Sequence, residues 1–225
     1  MFRISAVFAL VVLCTSTAAP RALAEPYWIA YEGDDFPENE GWVRSTVGTP
    51  PERWLEDGSL FIDSRAHLLA SDNYTVYFDG GLDPEPGEMF VMRWRLNVHE
   101  VAPWEDPGVY VVSDDLWTVL FVFGDGYVSS THEYNVTADF EPGVFHEFEL
   151  RSDDMRSYEL HIDGNLALEG AFFEGFFSSC AGWGDVVRGG VSLAEWDYLR
   201  FGVVPEPAAW LMTIIALPLL SKRRC

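Results

Sequence analysis

Basic residues are scarce in the part of this chain that can fold. Of the 14 lysines and arginines among its 225 residues, Arg3, Arg21, Lys222, Arg223 and Arg224 lie in the terminal segments. Between Glu25 and Val203 there is no lysine, and nine arginines face 35 carboxylates, a net of about −26. A field of that sign repels nucleic acid and other polyanions, which excludes nucleic-acid binding, and it favours solubility and cations. Cysteine is nearly absent too. Cys14 and Cys225 fall in the terminal segments, so Cys180 stands alone and no disulfide closes within the central region. It has no histidine or basic neighbour in sequence to activate it, and reads as a small core or loop residue. The five histidines, His67, His99, His132, His146 and His161, show no ligand spacing, which leaves zinc without support. Helical periodicity and internal repeats are missing as well, and with them bundles, solenoids and propellers.

What is present at the two ends is a pair of processing signals. Met1-Phe2-Arg3 supplies a positive start, Ala6 to Leu13 an apolar run, and Ala22-Leu23-Ala24 a small-x-small site, so residues 1–24 read as a signal peptide cleaved before Glu25. The alternative, an uncleaved anchor, meets an apolar run shorter than the roughly 20 residues that span a bilayer. Leu13 before Cys14 is too large for a lipidated cysteine. At the other end Pro205-Glu206-Pro207 precedes an apolar run from Ala208 to Leu220, interrupted by Thr213 and Pro218, and then Lys222, Arg223 and Arg224. The run is short for a stable span, and the basic end would be held in the cytoplasm. Residues 204–225 resemble the PEP-CTERM sorting signal. That resemblance implies signal peptidase and exosortase as partners during export, transient anchoring in the inner membrane, and a final place at the cell surface or in the extracellular matrix. An ordinary tail anchor is the alternative.

Residues 25–203 remain, enough for one domain with a sizeable core. Period-two patterns recur along them. In Met89 to His99, Phe90, Met92, Trp94, Leu96 and Val98 point one way, and Val91, Arg93, Arg95, Asn97 and His99 the other, as in a strand with one packed and one wet face. Leu116 to Phe123 is apolar almost throughout and turns at Gly124-Asp125-Gly126 into Tyr127 to Thr131. Further strands are expected at Ser59 to Asp63, Tyr74 to Phe78, Val109 to Ser113, His146 to Arg151, Tyr158 to Asp163, Leu166 to Phe172 and Glu195 to Gly202. Asp163-Gly164-Asn165 is a tight turn. The sum is an all-β, two-sheet antiparallel sandwich.

Phe145-His146-Glu147-Phe148-Glu149-Leu150 with Ser157-Tyr158-Glu159-Leu160-His161-Ile162-Asp163-Gly164 resembles the concanavalin A-like and laminin G-like jelly rolls. Glu195 to Gly202 is similar to their closing strand, and Asp34-Asp35-Phe36-Pro37 with Gly41-Trp42 to their opening. These motifs specify a fold rather than an activity.

Three chemistries suit such a fold. Hydrolysis of a glycan needs paired carboxylates, and the laminarinase-type glucanases carry theirs at alternating positions on one strand. Glu147 with Glu149, or Glu195 with Asp197, offers such a pair, although the full Glu-x-Asp-x-x-Glu pattern is absent. A polysaccharide lyase would use Arg93, Arg95 and His99 to neutralise a uronate and take a proton, but the net charge opposes an anionic substrate. Binding without catalysis needs exposed aromatic rings to stack on sugars. Trp104, in an aperiodic loop, and Trp183, in a Gly-rich run, are the candidates, while Trp94, Trp117 and Trp196 follow strand patterns and belong to the core. Calcium, which takes oxygen ligands, is expected as a structural ion at Asp34, Asp35 and Asp197, where chain ends of such sandwiches meet. The sequence favours a non-catalytic, glycan-binding or matrix protein over a glycan-degrading enzyme or a purely structural surface protein. Exported protein should begin at Glu25; an intact mass that retains Met1 would show the N-terminal run kept as an anchor.

Overall fold

A backbone with apolar residues at every second position buries one face by pairing into sheets and stacking two of them. The computed structural model describes residues 29–66, 71–102, 107–132, 136–175, 178–186 and 191–205. Through them run β1 (Ile29–Tyr31), β2 (Val43–Val47), β3 (Glu52–Glu56), β4 (Ser59–Asp63), β5 (Ser71–Tyr77), β6 (Glu88–Val101), β7 (Gly108–Val112) and β8 (Trp117–Phe123). They continue with β9 (Tyr127–Ser130), β10 (Thr137–Asp139), β11 (His146–Ser152), β12 (Ser157–Ile162), β13 (Asn165–Ala171), β14 (Phe173–Glu174), β15 (Cys180–Asp185) and β16 (Ser192–Pro205). One 3-10 turn, Pro37–Glu40, precedes β2.

The strands form two antiparallel sheets, the all-β sandwich expected from the alternation. Sheet A has the order β13-β12-β11-β6-β16-β4-β3, with β1 also on β16. Sheet B has the order β10-β9-β8-β7-β15-β5-β2, with β14 also on β8. The long strands β6 and β16 form the middle of sheet A, and their pairing skips one residue between Trp196 and Tyr198, so that Asp197 sits in a bulge. Ile29 of β1 lies opposite Phe201 of β16, so the chain enters the sheet beside the place where it leaves. Asp163 and Gly164 both take positive φ, 50° and 77°, in the two-residue turn between β12 and β13, the geometry that Asp-Gly adopts in a hairpin.

Two aromatic clusters fill the space between the sheets. Trp94 of β6 stacks on Phe148 of β11 at 5.6 Å and 9°, and Phe123 of β8 meets Phe148 edge to face at 5.1 Å. In the second cluster Trp183 of β15 contacts Trp196 at 4.8 Å and Tyr31 at 4.7 Å, both from sheet A, and Tyr74 of its own sheet at 4.9 Å. Trp183 is fully buried. The expectation that Trp183 is exposed in a Gly-rich run is therefore corrected: Ala181-Gly182-Trp183-Gly184 is a strand whose alternate residues, Ala181 and Trp183, face the core. Glycine masked the alternation, because it marks the outward positions without a polar side chain.

β1, β2, β3, β10, β14 and β15 had no sequence counterpart. Several are short, and β2, β3 and β10 lie at the ends of their sheets, where packing imposes little pattern. Trp183→Ala should destabilise the protein by about 3–5 kcal/mol, read from urea denaturation; a loss under about 1 kcal/mol would contradict its place between the sheets.

Candidate functional site

The inward turn of Trp183 leaves Cys180, Gly182 and Gly184 on the outer side of β15, in the middle of sheet B. Gly182 lies in register with Tyr110 of β7 on one side and Thr75 of β5 on the other. A Cβ at Gly182 would fall 2.2 Å from the Tyr110 ring, so that ring lies across the glycine, and its hydroxyl meets Thr75 Oγ1 at 2.5 Å. Burial pushes the Tyr110 phenol up to about 12, so it stays neutral. Around this row opens a cavity of about 560 Å³, within the size range of small-ligand clefts. Ser45, Asn73 and Thr75 supply hydroxyl and amide groups on one side, and Leu120, Thr118 and Phe173 line the other. Tyr77 stands at the rim, 60% exposed. Phe173 stacks against His132 at 5.1 Å and 17°. Among the described residues lining this groove none carries a charge, although the whole chain has a net charge of −22.

The carboxylates considered for catalysis lie on the other sheet. Glu147 and Glu149 belong to β11 and Glu195 and Asp197 to β16, and their side chains stand on the outer face of sheet A. Glu149 is buried and held by Arg93 and Arg151 together. Glu147 accepts the Tyr198 hydroxyl, which, with burial as the larger cause, raises that phenol well above its usual range. Asp197 Oδ2 accepts from Arg95 Nη1 at 2.5 Å, and the Arg95 guanidinium lies 4.4 Å from the centre of the Phe145 ring. Glu195 Oε2 meets Asn97 Nδ2 and His99 Nε2, each at 3.1 Å. Arg93, Arg95 and His99 thus share the wet face expected of β6, each paired with a carboxylate of a neighbouring strand.

Gly33 brings the loop that carries Asp34 and Asp35 against Asp197: a Cβ at Gly33 would lie 2.2 Å from the Asp197 carbonyl oxygen and 2.3 Å from that of Gly58. Asp35 Oδ1 accepts from the Phe36 backbone N–H at 2.7 Å and from Asn39 Nδ2 at 2.9 Å, opening the 3-10 turn. Among the described residues no group of three or more His, Cys, Asp or Glu side chains is gathered as metal ligands. Trp104, Glu206, Pro207, Lys222, Arg223, Arg224 and residues 1–24 lie outside the described residues, while Pro205 ends β16, exposed.

Tyr77, Tyr110, Asn73 and Phe173 escaped sequence reasoning. The signal was present in the alternation of Asn73, Thr75 and Tyr77 with Asp72, Tyr74 and Val76, and in the paired glycines of β15. It needed the neighbouring strands to show which face was open.

No family model and no curated protein matches the chain. Solved structures do match its fold. The conserved carbohydrate esterase of the Shiga toxin-encoding bacteriophage phi24B superposes with a TM-score of 0.60 at 12% identity, over 81% of this chain and 100% of the esterase chain. A mutant of the Emp46p carbohydrate recognition domain gives 0.49 at 10% identity, over 80% of this chain and 98% of the domain. A β-1,3-1,4-glucanase from a mouse hindgut metagenome gives 0.43 at 8% identity, over 77% and 98%. At such identities the likeness is one of fold. The all-β, two-sheet antiparallel sandwich expected from the strand pattern is the architecture of this chain.

Cys180 forms part of the groove lining, 3% exposed, and burial pushes its thiol up to about 11. Since the thiolate is the reactive form, at pH 8 the folded protein should be alkylated about 100-fold more slowly than the unfolded chain. The rate should rise about tenfold per pH unit up to pH 10. Equal rates in both states, followed by mass spectrometry, would place the thiol in solvent.

Proposed function

We propose that this chain is an exported, non-catalytic glycan-binding protein whose sandwich takes a neutral polysaccharide into the groove of sheet B. The observation that carries this reading is the composition of the groove: aromatic rings and hydroxyl and amide groups, without charge among its described residues, in a strongly acidic protein. Sugars present apolar C–H faces and many hydroxyls, and such a lining offers stacking and hydrogen bonds to both. A free carboxylate pair would be needed for hydrolysis, and the candidates are on the opposite face, tied to arginine, tyrosine, histidine and asparagine partners. The carbohydrate esterase that shares the fold keeps a glycan-degrading enzyme as the second reading, with Glu147 and Glu149 or Glu195 and Asp197 as its acids. A purely structural surface protein is the third.

The terminal segments complete the proposal. Signal peptidase acts before Glu25, and exosortase recognises Pro205-Glu206-Pro207, the apolar run and Lys222, Arg223 and Arg224, after transient anchoring in the inner membrane. The domain then resides at the cell surface or in the extracellular matrix.

The test is retention of the protein on neutral polysaccharides, a β-glucan, a galactomannan and a dextran, with alginate as an anionic control and released reducing ends measured alongside. Retention on a neutral polymer without release is expected, and Tyr77→Ala should weaken it about 10- to 100-fold. Release that disappears in Glu195→Gln or Glu149→Gln would establish the enzyme instead. Silence in both channels would leave the structural protein.

A further inference from the structure

A second set of aromatic rings stands on the far side of the molecule. Trp54 of β3 and Phe61 of β4 are opposite one another in register and stack at 4.9 Å and 7°. His99 of β6 adds a third ring, 6.0 Å from Phe61 and 17° from parallel. Neither Trp54 nor Phe61 belongs to the core or packs against it; their strand neighbours Leu55, Leu60 and Ile62 do. Among the described residues β3 is the last strand of sheet A, so one face of the Trp54 ring lies against Phe61 and no further described strand of the sheet extends beyond the other.

Cross-strand stacking accounts for the pair itself, but not for the carboxylate beside it. Glu195 lies in register with Phe61 on one side and Asn97 on the other. Both of its donors, Asn97 Nδ2 and His99 Nε2, go to Oε2. Among the described residues Oε1 therefore has no donor, although the side chain is only 14% exposed. A shielded carboxylate oxygen with spare acceptor capacity, at the edge of an aromatic stack, suits a hydroxyl group that approaches with its C–H face on a ring. An anionic sugar would be repelled, since Glu52 and Glu56 flank Trp54 on its own strand.

We propose that Trp54, Phe61, His99, Asn97 and Glu195 form a second site for neutral saccharide on the outer face of sheet A. One molecule then holds two glycan chains, one on each side of the sandwich, and cross-links them. This rests on the glycan reading of the sheet B groove.

Isothermal titration and turbidity with the three neutral polymers test it, on the protein and on Trp54→Ala, Glu195→Gln, Tyr77→Ala and the double variant Trp54→Ala/Tyr77→Ala. The unmodified protein should cloud a soluble polymer that it binds. Trp54→Ala should abolish clouding, weaken overall retention about tenfold, and leave the Tyr77-dependent component intact. Glu195→Gln keeps the shape and tests the acceptor without removing the stack; it should lose at least half of the clouding, and the double variant should bind nothing. If Trp54→Ala and Glu195→Gln both bind and cloud as the unmodified protein does, the second site is overturned and the groove stands. If Tyr77→Ala is silent while Trp54→Ala abolishes all binding, the sheet A site stands and the groove reading falls. Absence of binding to all three polymers overturns both.

Discussion

The packing of one indole sets both surfaces of β15, an inner strand of sheet B. Trp183 is held between Tyr31, Tyr74 and Trp196, and a strand has no freedom to turn one residue inward without sending its neighbours outward. Gly182 and Gly184 are thereby committed to the outer face. The absence of side chains there lets the Tyr110 ring cross the strand to Thr75, and brings the Asp72 carbonyl oxygen to within 2.6 Å of where a Cβ on Gly184 would stand. The groove is the outward imprint of the core. Its depth comes from what β15 lacks, and its character from what β5 and β7 supply.

Charge is partitioned between the two outer faces. Each arginine among the described residues has an acidic partner: Arg44 with Asp72, Arg53 with Glu38, Arg65 with Asp63 and Glu100, Arg93 and Arg151 with Glu149, Arg95 with Asp197, Arg156 with Asp115, and Arg200 with Glu32. Where carboxylates outnumber arginines so heavily, a guanidinium rarely stays unpaired, and this argues against an arginine-based uronate site. Most of these pairs are partly exposed and contribute little individually, about 0–1 kcal/mol. Arg44 and Asp72 differ, because Asp72 is fully buried and accepts both nitrogens at 2.7 Å; removing one partner of such a pair costs about 3–5 kcal/mol.

The sandwich was legible in the sequence because its central strands alternate cleanly. β6 announced its two faces in full, and β4 was placed to the residue. Pattern reading failed where the alternation is written with residues that carry little hydropathy contrast, as in β15, and on short edge strands such as β2. The same limit governed the site. Acidic pairs and arginines stand out in a sequence, and they did lie together on one face, but a list of residues does not say that they satisfy each other. Tyr77 and Tyr110 are unremarked tyrosines until three neighbouring strands place them over a glycine.

The pairing of β1 with β16 has a mechanical consequence. Ile29 lies beside Phe201, and the chain leaves the described part of β16 at Pro205, about 13 Å further along the same direction. Both ends therefore emerge from one pole of the domain. A tether at either end would pull on the same end of sheet A, along its long central strands rather than across them, and would leave the broad outer surfaces of the sandwich facing sideways.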